Sequence, residues 1–177
     1  MVRYLLTLVL SASIIIGSCL FPLWATAADT VQAAPSMAML PRLSQVFRGK
    51  APQNLGVHNG KLAPCLTAGN CVVSQNAPSD RTIAPIAYHT DRPTAKKILL
   101  QVLQVVPRTT IVESTADYIR VESTSRLLGF VDDAEFYLPE TEKVIHVRSA
   151  SRLGESDLGV NCRRLEQIRL ALKDLGI

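Results

Sequence analysis

The stretch from Arg148 to Asn161 gathers the densest set of side chains able to hold a ligand. It carries two arginines, Arg148 and Arg152, the hydroxyls of Ser149, Ser151 and Ser156, and flexible Gly154 and Gly159. A helix is expected to begin within it. Free N–H groups at a helix start, beside guanidinium groups, bind oxyanions. Arg148, Ser149, Ser151, Arg152 and Asn161 are therefore the candidate contacts for a phosphate, a carboxylate or an acidic head group. The competing reading is structural. Asp132, Asp133 and Asp157, with Glu135 in the same polar network, would neutralise both arginines and fix the crossover from strand to helix.

Other chemistries find less support. Asp132, Asp133, Glu135 and Asp157 supply the oxygens a hard cation takes, but those oxygens must converge. Strand alternation sends Asp133 and Glu135 to the face opposite Asp132, so no metal site and no hydrolytic carboxylate pair is expected. The chain has three histidines, His58, His89 and His146. No Gly-x-Ser-x-Gly elbow, phosphate-binding glycine loop or His-Glu-x-x-His run accompanies them. His146 could serve as a base beside Glu135, and a structural pairing is the plainer alternative. No cofactor is implied. Cys65 and Cys71, with five residues between them, suit a structural disulfide in an oxidising compartment, stabilising by about 2 kcal/mol. A redox pair or a zinc site with His58 and His89 fits the spacing less well. Cys162, in the first turn of the last helix ahead of Arg163 and Arg164, is either a favoured thiolate or a small buried side chain.

These residues need elements to position them. Asp91 and Pro93 open a helix whose apolar stripe is Ala95, Ile98, Leu99, Val102, Val105 and Val106, stopping at Pro107. Short β-branched runs follow at Thr109–Ser114, Tyr118–Ser123, Phe130–Leu138 and Lys143–Ser149. A second helix is expected over about Leu158–Leu175, capped by Ser156 or Asp157, with Leu165, Ile168, Leu172 and Leu175 facing inward. Short connections favour an antiparallel meander. The expected class is α+β: a four-stranded, mainly antiparallel sheet with two helices on one face, preceded by a long irregular region over residues 51–89.

The third hairpin can be read in register. Placing Leu138 opposite Lys143 sets Phe136 against Ile145 and Ala134 against Val147, all on one side. Asp133 then neighbours Arg148, and Glu135 neighbours His146, on the other. Asp132 is left pointing to the apolar side. It needs a partner there, with Arg152 and the N–H groups of the last helix the nearest candidates.

The N-terminus has a different character. Arg3 precedes Tyr4–Trp24, a run without charge, and Ala25-Thr26-Ala27 follows Pro22. That order describes a signal peptide over residues 1–27, cleaved before Ala28 or one residue later. An uncleaved membrane anchor or a lipoprotein attached through Cys19 are the rivals, and each delivers the domain beyond the cytoplasmic membrane. Residues 28–50 read as a linker and residues 51–177 as a single domain. The net charge of +4 with 5% aromatic content, and no basic run longer than two, excludes an ordinary nucleic-acid-binding surface. Membrane contact is expected only through Tyr4–Trp24, if that segment is retained.

Three blocks together resemble a known signature. They are Phe130-Val131-Asp132-Asp133-Ala134-Glu135-Phe136, Val147 to Gly154, and Ser156-Asp157-Leu158-Gly159-Val160-Asn161. Leu62-Ala63-Pro64-Cys65, Asn70-Cys71-Val72 and Ser74-Gln75 resemble the first motif of the same family, domain-of-unknown-function family 1499. The resemblance covers roughly Lys50 to Leu175. It implies a small protein, often exported, membrane-linked or plastid-targeted, and it implies no particular activity. The chain is thus expected in the periplasm, the thylakoid lumen or outside the cell, as a binding or interaction module for a small anionic ligand or a protein partner. A hydrolase-like enzyme using the same loop and a structural or assembly protein are the alternatives; enzymatic activity stays open and is the less favoured.

Overall fold

The structure, a computed structural model, describes residues 47–65 and 69–177. Residues 1–46, where the signal peptide and most of the linker are expected, and residues 66–68 between the paired cysteines lie outside the described residues.

Helix α1 spans Arg92–Val105. Asp91 caps it, accepting from the Thr94 N–H at 2.9 Å and the Thr94 hydroxyl at 2.8 Å. Ala95, Leu99, Val102 and Leu103 form its buried stripe. Val105 does not join that stripe and faces solvent. Helix α2 spans Val160–Asp174. The Asp157 carboxylate accepts from the N–H groups of Gly159 at 2.9 Å and Asn161 at 2.7 Å, satisfying two donors that the helix start leaves open. Gly159 sits at φ 77°, where a side chain would be strained and would press on the Arg163 guanidinium. Leu165, Ile168 and Leu172 are buried, whereas Leu175 is exposed and Ile177 takes the inward place.

The sheet has six strands, not four. Strands β3 (Thr109–Ser114), β4 (Tyr118–Thr124), β5 (Val131–Tyr137) and β6 (Val144–Ser151) form the expected meander. The irregular region adds two more, β1 (Cys71–Val73) and β2 (Ile86–Ala87). Both pair antiparallel with the same outer edge of β6, β1 at Arg148–Ala150 and β2 at Val144–Ile145, giving the order β1-β6-β5-β4-β3. Strand β3 is bulged between Ile111 and Glu113.

The hairpin register is shifted by two residues from the expected one. Phe136 lies opposite Val147, Glu135 opposite Arg148 and Tyr137 opposite His146. The reason is a wider loop. The last cross-strand pair is Tyr137 with His146, and the Leu138 N–H donates to the Asp117 carbonyl rather than across the hairpin. A shift of two keeps every side chain on its expected face. It also sets a guanidinium directly opposite Glu135.

Both helices pack on one face, where Ile119, Val121, Ala134, Phe136, Ile145 and Val147 share a core with Leu99, Leu103, Leu165 and Leu172. The other face is covered by residues 47–65, a strap that contributes Leu62 and Cys65 to a smaller core with Cys71, Val73, Tyr118 and Ala150.

Candidate functional site

The polar residues singled out in the sequence divide between the two faces. On the helix face, at the end where β6 hands over to α2, Asn161 is fully buried. Its Oδ1 accepts from the Ser149 hydroxyl at 2.5 Å and Arg164 Nη1 at 2.9 Å; its Nδ2 donates to the Asn70 carbonyl at 3.0 Å and the Ser151 hydroxyl at 3.1 Å. Asp132 joins this corner. It accepts from the Ser151 hydroxyl at 2.6 Å and from Arg164 Nη2 at 2.7 Å. Its partner is therefore Arg164, not Arg152, because α2 carries Arg164 over the apolar side while strand alternation turns Arg152 away from it.

On the strap face the charges form a ladder. Glu135 is fully buried and accepts three hydrogen bonds: from Arg148 Nη1 at 2.8 Å, the Tyr118 hydroxyl at 2.8 Å and the Gly56 N–H at 2.7 Å. Burial, reinforced by the neighbouring Glu135 carboxylate, pushes the Tyr118 phenol well above its ordinary range. Arg152 clasps Asp133 with two bonds of 2.7 and 2.9 Å and reaches Glu122 at 2.5 Å. The bonds to Asp133 hold its guanidinium more firmly protonated than usual. Arg120 completes the group at 3.0 Å from Asp133. Arg148 and Arg152 thus do not line the start of α2; carboxylates of the strap face hold both. Arg148 Nε is buried with no partner among the described residues.

His146 is not beside Glu135, since the register places it opposite Tyr137, on whose ring it stacks. Its Nδ1 lies 3.3 Å from the Ser74 hydroxyl and its Nε2 3.7 Å from Glu142. Ser74 also accepts from the Val147 N–H at 2.9 Å, which ties its oxygen to the strand. Burial lowers the imidazole pKa, and Glu142 opposes that shift. Cys65 and Cys71 are disulfide-bonded with Cα atoms 5.6 Å apart. Cys162 is free and half-buried against the main core. Among the described residues no group of three His, Cys, Asp or Glu side chains could hold a metal ion, and no helix is long and apolar enough to cross a membrane.

Beyond the Asn161 corner the same end of the molecule opens into a cleft of about 410 Å³. Three separate segments build it: the α1–β3 connection with Arg108, the β4–β5 turn with Ser125 and Arg126, and the first turns of α2 with Arg163 and Arg164. Asp132, already bound by Arg164, is the one carboxylate in its lining. Arg163 Nη1 is held at 2.8 Å by the Leu158 carbonyl, and Arg108 Nε at 3.1 Å by the Thr124 carbonyl. Among the described residues neither of these arginines, nor Arg126, makes a salt bridge. A second hollow of about 190 Å³ adjoins the first through Ser125, Asp132 and Val160, and is walled by Phe130, Leu153 and Asp157. Of the expected anion contacts and their supporting network, Ser151, Asp132 and Asp157 line it. Sequence reading missed Arg108 and Arg126. Their signal was weak: Arg108 sits between Pro107 and Thr109, and Arg126 precedes two leucines in a turn, where polar residues are the rule.

The family described as "Protein of unknown function (DUF1499)" matches residues 61–172. The chain belongs to that family. No curated protein matches it.

Proposed function

We propose that the domain is an exported binding module whose ligand is an anion held in the cleft at the β6–α2 end. The observation that carries this reading is the balance of charge there: Arg108, Arg126, Arg163 and Arg164 face one cleft against Asp132 alone. Such an excess of guanidinium groups attracts phosphate or carboxylate groups through charge-assisted bonds. The ligand-facing arginines are then Arg108, Arg126, Arg163 and Arg164, with Ser151 and Asn161 supporting the wall. Arg148 and Arg152 act at a distance, by holding β6 in place. Export is supported by Arg3, the uncharged run Tyr4–Trp24 and the small residues before Ala28, together with a disulfide of the kind that persists in oxidising compartments.

Inorganic phosphate, titrated at constant ionic strength, should raise the melting temperature progressively. The Arg126→Ala/Arg163→Ala variant, altered at two exposed positions, should keep its own melting temperature and lose that rise. A rise of equal size in both proteins, or none in either, would overturn the reading. The mass of the exported protein tests the rest: it should begin at Ala28 and lack the two hydrogens of a reduced Cys65–Cys71 pair.

A further inference from the structure

The cleft does not stand alone on its end of the molecule. Nine large apolar side chains are exposed among the described residues, and six of them lie here: Val105, Leu127, Leu128, Leu153, Leu158 and Val160. Leu127 is 89% exposed and Leu158 83%. They occupy two separate turns that flank the cleft, the β4–β5 turn and the β6–α2 connection. Leu158 is held at φ 54°, a conformation seldom adopted by a bulky residue, with its side chain directed outward. The other three exposed apolar residues are dispersed: Val112 on β3, Leu170 along α2 and Leu175 past its far end.

Resting on the anion-binding reading, we infer that this end docks on a bilayer surface rich in anionic lipid, the leucines entering the interface while the arginines take lipid phosphates. Exposed apolar side chains gathered at one end of a molecule mark an interaction site. The charge around this one selects the partner. Arg126 stands beside Leu127 and Leu128 in the same turn, and the Arg163 guanidinium donates to the Leu158 carbonyl. Apolar tips backed by cations match the layering of an anionic membrane, with acyl chains below and phosphates above. Glu155, on the same connection, is exposed and leaves the balance positive.

The test uses the protein as isolated and vesicles of phosphatidylcholine with and without phosphatidylglycerol. The readout is the ratio of binding to the two vesicle types. Any contribution of Tyr4–Trp24, common to both, largely cancels in that ratio. The ratio should exceed tenfold at low salt and fall as salt is added. Leu127→Ser/Leu128→Ser should lower binding to the anionic vesicles by about tenfold or more, and leave the phosphate-induced rise in melting temperature intact. Arg126→Ala/Arg163→Ala should lose about fivefold per arginine and lose the phosphate response as well.

The outcomes separate the two readings. A phosphate response with no preference for anionic vesicles overturns docking and leaves the anion site standing. No phosphate response overturns the anion site, and with it docking through lipid phosphate. Leucine-dependent self-association without vesicle preference would assign the patch to a second copy of the chain and overturn docking.

Discussion

The two faces of the central sheet are covered by opposite chemistry, although the same strands supply both. On the helix face, apolar side chains from β4, β5 and β6 meet two amphipathic helices, with one polar corner at Asn161. On the strap face, Glu122, Asp133 and Glu135 meet Arg120, Arg148 and Arg152 beneath a segment of irregular chain. Helices bring their own backbone hydrogen bonds and can cover a face with hydrocarbon alone. A strap carries backbone groups that still need partners, and Glu135 supplies one to the Gly56 N–H. The comparison teaches that a buried charge ladder is what lets irregular chain serve as a lid on a sheet.

Neighbouring residues on opposite faces give the sharpest test of that contrast. Phe136→Ala should cost about 3–5 kcal/mol by leaving a cavity. Glu135→Ala should cost a similar amount, about 3–5 kcal/mol, for a different reason: it strands Arg148 as an uncompensated buried charge. Denaturant unfolding measures both. Glu135→Leu/Arg148→Met/Tyr118→Phe removes Glu135 together with its two side-chain partners and should be less destabilised than Glu135→Ala alone. A triple variant worse than the single one would break the comparison, because the ladder would then contribute more than its hydrocarbon replacement. On the helix face Asn161→Ala should cost about 3 kcal/mol by leaving the Asn70 carbonyl and the Ser149 hydroxyl unsatisfied.

Smaller effects refine the picture. Cys65→Ser/Cys71→Ser should lower stability by about 2 kcal/mol. Amide exchange should quicken at Gly56 on the strap and remain slow in α1 and α2. The smallest effect is a dependence on pH. His146 has its folded-state pKa lowered below the ordinary 6.5 by burial. As pH falls below that value the unfolded chain takes up a proton more readily than the folded one, so stability present above it is lost on acidification. Following the melting temperature from pH 8 to pH 5, His146→Gln should show a shallower decline than the parent protein.

What was legible in the sequence follows the range of each signal. Both helices and the four longer strands were readable from periodicity, and strand alternation put Asp132 on one face with Asp133 and Glu135 on the other. The pairing of Cys65 with Cys71 was readable because the partners are close in sequence. Strands of three and two residues, β1 and β2, carry no internal pattern; they exist because β6 offers an edge some sixty to eighty residues away. The hairpin register slipped because a shift of two residues preserves the alternation, so the pattern alone does not distinguish the two registers. The cleft was the least legible feature. Its arginines come from three segments that meet only after the sheet has formed.

The pairing of β1 and β2 along one side of β6 has a consequence for solubility. Together they occupy the margin where a neighbouring molecule could otherwise add a strand. The opposite margin is β3, where the bulge at Val112 interrupts the ladder and Glu113 places a charge beside it. Neither side therefore offers a flat template for intermolecular β-pairing, and a concentrated solution of this domain should resist fibril growth.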